Sequence, residues 1–365
     1  MHATPTPDPP DRTGRLSRAA EVGWTVGTGL ARALVTDLLN RRPGRRRIAW
    51  YRALPPVLER LGPAWIKFAQ IASTRRDLLP AAVCDTLAVL HAQVTPMRRD
   101  ELDAALLAAL GPDWRDRLPG LDPTPVGSGS IACVYRAFLP DGSAVAVKLR
   151  RPNIAVTVAR DIRLIQSVMD LLDRAPGLSR LPIAEMGHAV GATVLGQLDL
   201  LAEARSLAAL AETLAPLEFV EVPRPYLSLC SEACLVMEFV PGLETTHRAE
   251  LIPAARRTEL ARQIMVAVYT MLFRTGLVHC DLHPGNLLLT GNDTIAMLDA
   301  GFTYQIPPAI RGNLARFFLN LAMQNSQGCA AAVLDSARQV ARDADLAGFS
   351  QDMDRLVARY GGLRS

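Results

Sequence analysis

His279-Cys280-Asp281-Leu282-His283-Pro284-Gly285-Asn286, followed by Asp299-Ala300-Gly301, is the stretch that decides the fold of this 365-residue chain. An Asp and an Asn stand five residues apart, and a second Asp-x-Gly follows behind the apolar run Ile295-Ala296-Met297-Leu298. Phosphoryl transfer requires this set: one carboxylate to orient an attacking hydroxyl, and an amide with a second carboxylate to hold Mg²⁺ on the phosphates. Asp281 is the candidate catalytic carboxylate, and Asn286 and Asp299 are the candidate metal ligands. His, Pro, Gly and Asn also make ordinary turns, so the weight lies on the combined spacing. His279 is expected to pack beneath the loop, and no third ligand at usable spacing points to zinc.

Upstream, Gly127-Ser128-Gly129-Ser130-Ile131-Ala132-Cys133-Val134 matches a kinase glycine-rich loop, with Ala132 in place of the third glycine. Glycines let the backbone turn tightly and bring N–H groups to phosphates. The strand Ala144-Val145-Ala146-Val147-Lys148 follows a hairpin turn at Pro140-Asp141-Gly142. Its Lys148 would reach the phosphates of ATP. Glu203 is the expected acidic partner of that lysine, in a helical run from Val194 to Leu210 in which Asp199 and Glu203 share a face. Leu235-Val236-Met237-Glu238-Phe239-Val240 reads as a strand ending in a hinge. Backbone groups of Glu238 and Val240 would meet the adenine edge, with Met237 behind it and Val134 and Ala146 covering its face.

The chain is 49% hydrophobic and 5% aromatic, which suggests a helix-rich protein large enough for two lobes. Its longest apolar run in the C-terminal half, Ile264 to Phe273, is too short to cross a bilayer, and no secretory signal is expected. The six cysteines are scattered, without the spacing of a disulfide framework or a zinc site. The expected location is the cytoplasm. Residues 1–60 hold eleven Arg against five Asp or Glu, a net +6. The cluster Arg41, Arg42, Arg45, Arg46, Arg47 could touch anionic lipid headgroups as a peripheral membrane contact, or be a solvated linker. No aromatic residues interleave with it, which argues against nucleic acid.

The pattern divides the chain into a basic, disordered segment (1–47), a helical extension (48–120), a kinase-like N-lobe with a helical insertion (121–240) and a short kinase-like C-lobe (241–365). Helices are expected at Arg52 to Leu61, Pro63 to Ser73, Ala81 to His91 and Arg99 to Leu110. From 121 short strands take over, and helix resumes at 254–275. After Asp299 there is room for a turn and two or three helices.

Leu61-Gly62-Pro63-Ala64-Trp65-Ile66-Lys67-Phe68-Ala69-Gln70, with Ser73-Thr74-Arg75-Arg76-Asp77-Leu78-Leu79-Pro80, resembles the KxGQ helix and following segment of the ABC1/UbiB atypical kinases. Lys148-Leu149-Arg150-Arg151-Pro152 and Gln197-Leu198-Asp199-Leu200-Leu201-Ala202-Glu203-Ala204 resemble two further motifs of that family. The resemblance implies an α+β, bilobal protein-kinase-like fold with a helical extension folded over the active site. Lys67 and Gln70 would project toward the nucleotide, with Asp199 nearby. It also implies ATP and Mg²⁺ as cofactors, a lipid or quinone-precursor ligand, and a setting in quinone or isoprenoid-lipid metabolism. Gln197 stands where the family's motif begins with Glu, Ala69 where KxGQ has Gly, and Ala300 where kinases have Phe. Gly127 and Gly129 replace the family's usual alanines, which predicts a looser lid and easier ATP access.

No Ala-Pro-Glu motif follows Gly301, and Pro307-Pro308 come almost at once, leaving little platform for a protein substrate. The expected activity is therefore an ATPase or small-molecule kinase. The alternatives are a non-catalytic nucleotide-binding regulator or scaffold, and an aminoglycoside-type phosphotransferase.

Overall fold

The computed structural model describes residues 18, 20–25, 27–29, 50–73, 80–87, 90, 95–174, 183–241, 244–245, 252–282, 286–291, 294–337, 339–341 and 343–361. The expectations for residues 1–17, for the Arg41–Arg47 cluster, for residues 74–79 and for His283 to Gly285 lie outside them. Two compact units emerge, Met1–Ala202 with Tyr226–Met237, and Glu203–Pro225 with Glu238–Ser365.

The first unit begins with helical residues around Val22, which packs with Val57 and Leu61. Helices α1 (Leu54–Leu61), α2 (Pro63–Ser73) and α3 (Ala81–Leu87) follow, close to the expected bounds. Gly62 and the proline at the first position of α2 separate the first two, a pairing of breaker and starter suited to a helix boundary. Ile66 and Ala69 of α2 meet Val83 and Leu87 of α3. Helix α4 (Arg99–Leu110) and the single turn α5 (Trp114–Arg117) then lie on a sheet formed by β1 (Gly127–Ser128), β2 (Ala132–Phe138), β3 (Ala144–Arg150) and a later strand in that order. Strand alternation decides the faces. Cys133, Tyr135, Ala137, Val145, Val147 and Leu149 join Leu102, Leu106 and Trp114 in one core. Leu106 is fully buried there, so Leu106→Ala should cost about 2–5 kcal/mol. The β2–β3 hairpin turns where expected, with Gly142 at φ 87° and the Ser143 N–H donating to Asp141 Oδ1 at 2.9 Å.

A long helix, α6 (Ile154–Asp173), and α7 (Ile183–Gly196) come next, in the region 121–240 where strands and turns with a helical insertion are expected. Ile154, Val158, Ile162 and Ile165 recur at helical spacing and pack on Val194 and Leu198 and on Ala64 of α2. The expected continuous helix from Val194 to Leu210 is also corrected. α7 stops at Gly196, and α8 (Leu200–Leu214) starts four residues later.

In the second unit, β4 (Val220–Glu221), β6 (Glu244–Thr245), β8 (Leu287–Leu289) and β9 (Ile295–Met297) form a sheet of order β4-β9-β8-β6. The strand β5 (Cys234–Glu238) completes the first unit's sheet beside β3. Helix α9 (Ala254–Thr270) passes into a π-turn over Met271–Thr275, which Gly276 closes at φ 78°. A Cβ at position 276 would lie 3.2 Å from the Ile306 carbonyl oxygen, so both space and conformation require glycine. The turn launches β7 (Leu277–His279), which pairs antiparallel with β10 (Thr303–Gln305). Helices α10 (Pro308–Ala322), α11 (Ser326–Leu334) and α12 (Leu346–Tyr360) close the chain, fulfilling the expectation of a turn and helices after Asp299. No helix among the described residues is long and apolar enough to cross a membrane.

Candidate nucleotide and phosphoryl-transfer site

Three short strands of the second unit position its candidate residues. Asp281 follows β7 by two residues, Asn286 immediately precedes β8, and Asp299 lies just beyond β9. Leu287 and Met297 are partners in the β8–β9 ladder, which brings the Asn286 and Asp299 ends of those strands together. His279, only 3% exposed, joins the rest. Its Nδ1 accepts the Asp281 backbone N–H at 3.1 Å, so the ring proton sits on Nε2 and is donated to the Asp299 carbonyl oxygen, 2.6 Å away. One imidazole therefore fixes the backbone at both candidate carboxylates, the packing role expected of it.

The Asn286 amide nitrogen donates to the Asp281 carbonyl oxygen at 2.9 Å. That bond leaves the amide oxygen as the end suited to a cation. Asp299 Oδ1 accepts the Gly301 N–H at 2.8 Å, holding the carboxylate in a tight turn. Ala300 is buried, a small residue where kinases place an aromatic one. The donor chemistry, one carboxylate and one amide oxygen, suits Mg²⁺ carried in by phosphates. Among the described residues no group of three His, Cys, Asp or Glu side chains could hold a metal ion. Burial chiefly, and then the Asp281 charge, raises the Cys280 thiol above its ordinary range.

The first unit holds the other candidates. Gly127 and Ser128 pair with Val134 and Cys133, and the Gly129 N–H donates to the Ala132 carbonyl at 2.9 Å, leaving Ser130 at the tip of the turn. Position 127 has room for a Cβ at ordinary contact distance from Val134, whereas at 129 it would sit 3.2 Å from the Ala132 oxygen. Val134 lies opposite Lys148 in the β2–β3 ladder. Val145, Val147 and Leu149 face the core, so Ala146 and Lys148 share the other face of the sheet with Val134. In β5, Cys234 and Val236 face that core, which puts Met237 on the opposite side with them. An apolar patch beside an ammonium group is thereby assembled within one sheet.

Two residues to which the sequence pattern assigns no role hold these first-unit candidates in place. Arg151 donates to Ser128 Oγ at 2.9 Å, to the Gly129 carbonyl at 3.0 Å and to the Thr95 carbonyl at 2.9 Å. It clamps the glycine loop. Arg150 donates to the Leu198 carbonyl and to the Glu232 carbonyl, tethering the Gln197–Asp199 turn to β3. The signal for both is a pair of adjacent arginines directly behind the strand lysine, able to reach in different directions.

Asp199 does not share a helix face with Glu203. Its Oδ1 accepts the N–H groups of Leu201 and Ala202, both at 3.0 Å, so it caps α8 from outside, as an Asp before a helix does. Gln197 lies in the same turn. Glu203 is in the first turn of α8 and buried. In the hinge, the Glu238 N–H donates to the Arg224 carbonyl at 3.0 Å, and its carboxylate accepts the Arg224 N–H. The backbone group that Glu238 can offer an adenine is thus its carbonyl, not its N–H. Val240 is buried. In the extension, Ala69 is buried in the α2–α3 core. The Gln70 amide nitrogen donates to the Leu90 carbonyl at 2.8 Å, so that nitrogen serves the helical extension itself. Lys67 is partly exposed on α2.

Residues 89–333 match the family model described as the ABC1 atypical kinase-like domain. The chain belongs to this family. The fold of this ABC1 protein is accordingly kinase-like, with mixed helix and sheet. It is 26% identical over 369 residues to the uncharacterized protein slr0889 of Synechocystis, an alignment covering 98% of this chain and 88% of that protein. It is 34% identical over 264 residues to the probable protein kinase UbiB of Aeromonas hydrophila, covering 72% of this chain and 48% of that protein. This chain thus spans about half the length of its UbiB relatives. Among solved structures, the Rv3197–erythromycin complex of Mycobacterium tuberculosis aligns with a TM-score of 0.57 at 20% identity, over 94% of this chain and 81% of the other. That likeness concerns the fold.

Proposed function

We propose that this ABC1 protein binds Mg-ATP and either hydrolyses it or passes its γ-phosphoryl group to a small or lipid acceptor, in quinone or isoprenoid-lipid metabolism. The observation that carries the reading is His279, which ties the Asp281 N–H and the Asp299 carbonyl to one ring. A turn kept only for folding would not need both carboxylate-bearing segments registered in this way. Asp281 takes the proton of the attacking hydroxyl or water. Lys148 orients phosphate oxygens, and Glu203 is its acidic partner. Val134, Ala146 and Met237 pack on adenine, whose amino group donates to the Glu238 carbonyl, with Val240 completing the hinge. Within the loop Gly127 to Ser130, the Gly129 N–H is taken by the Ala132 carbonyl, so Ser130 at the tip offers its backbone N–H to the phosphates. Asn286 and Asp299 would hold Mg²⁺, which when bound offsets the charge gathering on those phosphates.

The segment after Gly301 favours a small acceptor. Residues 303–305 are taken up by β10, paired with β7, and α10 starts at Pro308. A short, sheet-bound segment gives a peptide no extended platform. Lys67, Gln70, Gln197 and Asp199 belong to the same proposal as elements that govern access, and the Arg41–Arg47 cluster as a peripheral lipid contact.

The test is thermal unfolding with and without Mg-ATP. Saturating nucleotide should stabilise the wild-type protein by about 2–4 kcal/mol, and Lys148→Ala should abolish that gain. An unchanged ATP-dependent shift in the variant would overturn the assignment of this site. Quantifying quinone and isoprenoid intermediates in a strain lacking the gene tests the metabolic setting.

A further inference from the structure

The first unit contains a cavity of about 290 Å³ that none of the candidate nucleotide residues lines. Its main wall is one stripe of α6. Arg160, Arg163, Leu164, Ser167 and Asp170 follow the three- and four-residue steps that keep side chains on a single helix face. The opposite wall is α7, which approaches closely because it presents glycines. A Cβ on Gly191 would fall 2.8 Å from Ile162 Cγ2, and one on Gly187 would fall 2.7 Å from Met169 Sδ. That close crossing brings His188 of α7 to the cavity, where its Nε2 lies 3.0 Å from Asp170 Oδ1. Arg18 closes a third side.

Charge is distributed unevenly along this stripe. Arg18 is already matched by Asp161, through Nε at 2.9 Å and Nη2 at 2.8 Å, and by Glu21 at 2.9 Å. It acts as a fixed wall. Asp170 is engaged by His188 and stands about 10 Å along the helix axis from Arg163. The remaining cations, Arg160 and Arg163, lie together at the other end. Arg160 Nε is buried and has no hydrogen-bond partner. A shielded guanidinium donor with no acceptor costs free energy, and a side chain that turns toward an anion in the cavity recovers it. The adjacent hydroxyl of Ser167 can add a neutral donor or acceptor.

We propose that this cavity is a second anion site, in which Arg160 and Arg163 bind a phosphate or diphosphate group. Planar guanidinium groups suit such oxygens because they donate in pairs. The group can be carried by a soluble phosphorylated metabolite or by a phospholipid headgroup, and the two sources separate by experiment. Because α6 and α7 also pack on α2 of the extension, an occupant would brace the helix that carries both Lys67 and Gln70.

Inorganic pyrophosphate, without Mg²⁺, should be titrated calorimetrically into the full chain and into Arg160→Gln and Arg163→Gln. The wild type should bind, and each variant should bind about tenfold more weakly while keeping its unfolding midpoint and its response to Mg-ATP. Arg163 is exposed, so its variant decides the matter should Arg160→Gln fail to fold. Flotation with vesicles of phosphatidic acid in phosphatidylcholine identifies the source. Capture that pyrophosphate competes away and Arg163→Gln abolishes assigns a lipid headgroup. Pyrophosphate binding without capture assigns a soluble phosphate. Equal pyrophosphate affinity in all three proteins, or no wild-type binding to either probe, would overturn the site.

Discussion

The two units hold their candidate residues in place by different kinds of contact. In the second unit the motif holds itself: His279 bonds the backbone at Asp281 and at Asp299, and Asn286 bonds Asp281. In the first unit the glycine loop is held by Arg151, from beyond the strand lysine, with a further anchor at Thr95. A self-supporting motif couples position to chemistry, so its members cannot be changed one at a time. A clamped loop separates them, because the clamp can be removed while the loop's own sequence stays intact.

Asp281→Asn should disturb the second unit's motif most sharply. Removing the proton acceptor should lower ATP turnover about 10²–10⁴-fold, with Mg-ATP affinity held within about threefold, since the amide keeps the volume of the carboxylate. A variant without turnover that still sustains the cellular role would favour a nucleotide-gated scaffold over an enzyme. Hydrolysis measured alongside complementation tells the two apart.

His279→Ala comes next. It removes an acceptor from the Asp281 N–H and a donor from the Asp299 carbonyl in a buried setting, a cost of about 2–4 kcal/mol in unfolding free energy. Turnover should fall with it, because both carboxylates lose their shared anchor. The contrast is sharpened by Arg151→Ala, which should weaken Mg-ATP binding about tenfold and leave the turnover at saturating ATP close to normal. Should Arg151→Ala instead depress saturated turnover while sparing affinity, the difference between the two units would not hold.

The same difference explains what is legible in the sequence. The second unit's motif can be read because its contacts run over a short stretch: Asp281 to Asn286, and His279 to Asp299, are fixed by spacing. The strand face carrying Val134, Ala146 and Lys148 is legible for the same reason, since alternation alone assigns it. Asp199 misleads because a four-residue step to Glu203 fits a helix face, while Gly196 ahead of it permits a break that turns the Asp into a cap. Helix α6 is hidden although Ile154, Val158, Ile162 and Ile165 carry the period. Its start comes directly after a run of strands and a Pro-Asn turn, and that local context masks it. The Glu238 N–H and the Gln70 amide are committed to Arg224 and Leu90, partners that no local pattern names.

The smallest expected effect tests the self-supporting loop from inside. Cys280 is exposed as a residue, yet its thiol is held above the ordinary range by local desolvation and, secondarily, by the negative charge of Asp281. The thiolate is the reactive form, so a raised pKa leaves less of it near pH 8, and alkylation should quicken only at higher pH. Asp281→Asn removes the second cause and leaves the first, so the alkylation rate at pH 8 should rise only about twofold. Mass spectrometry of iodoacetamide labelling, resolved by peptide across a pH series, reads this directly. A Cys280 rate that ignores Asp281→Asn would mean that the carboxylate's charge is not felt at the thiol. The loop would then be more open around Asp281 than the His279 and Asn286 bonds require.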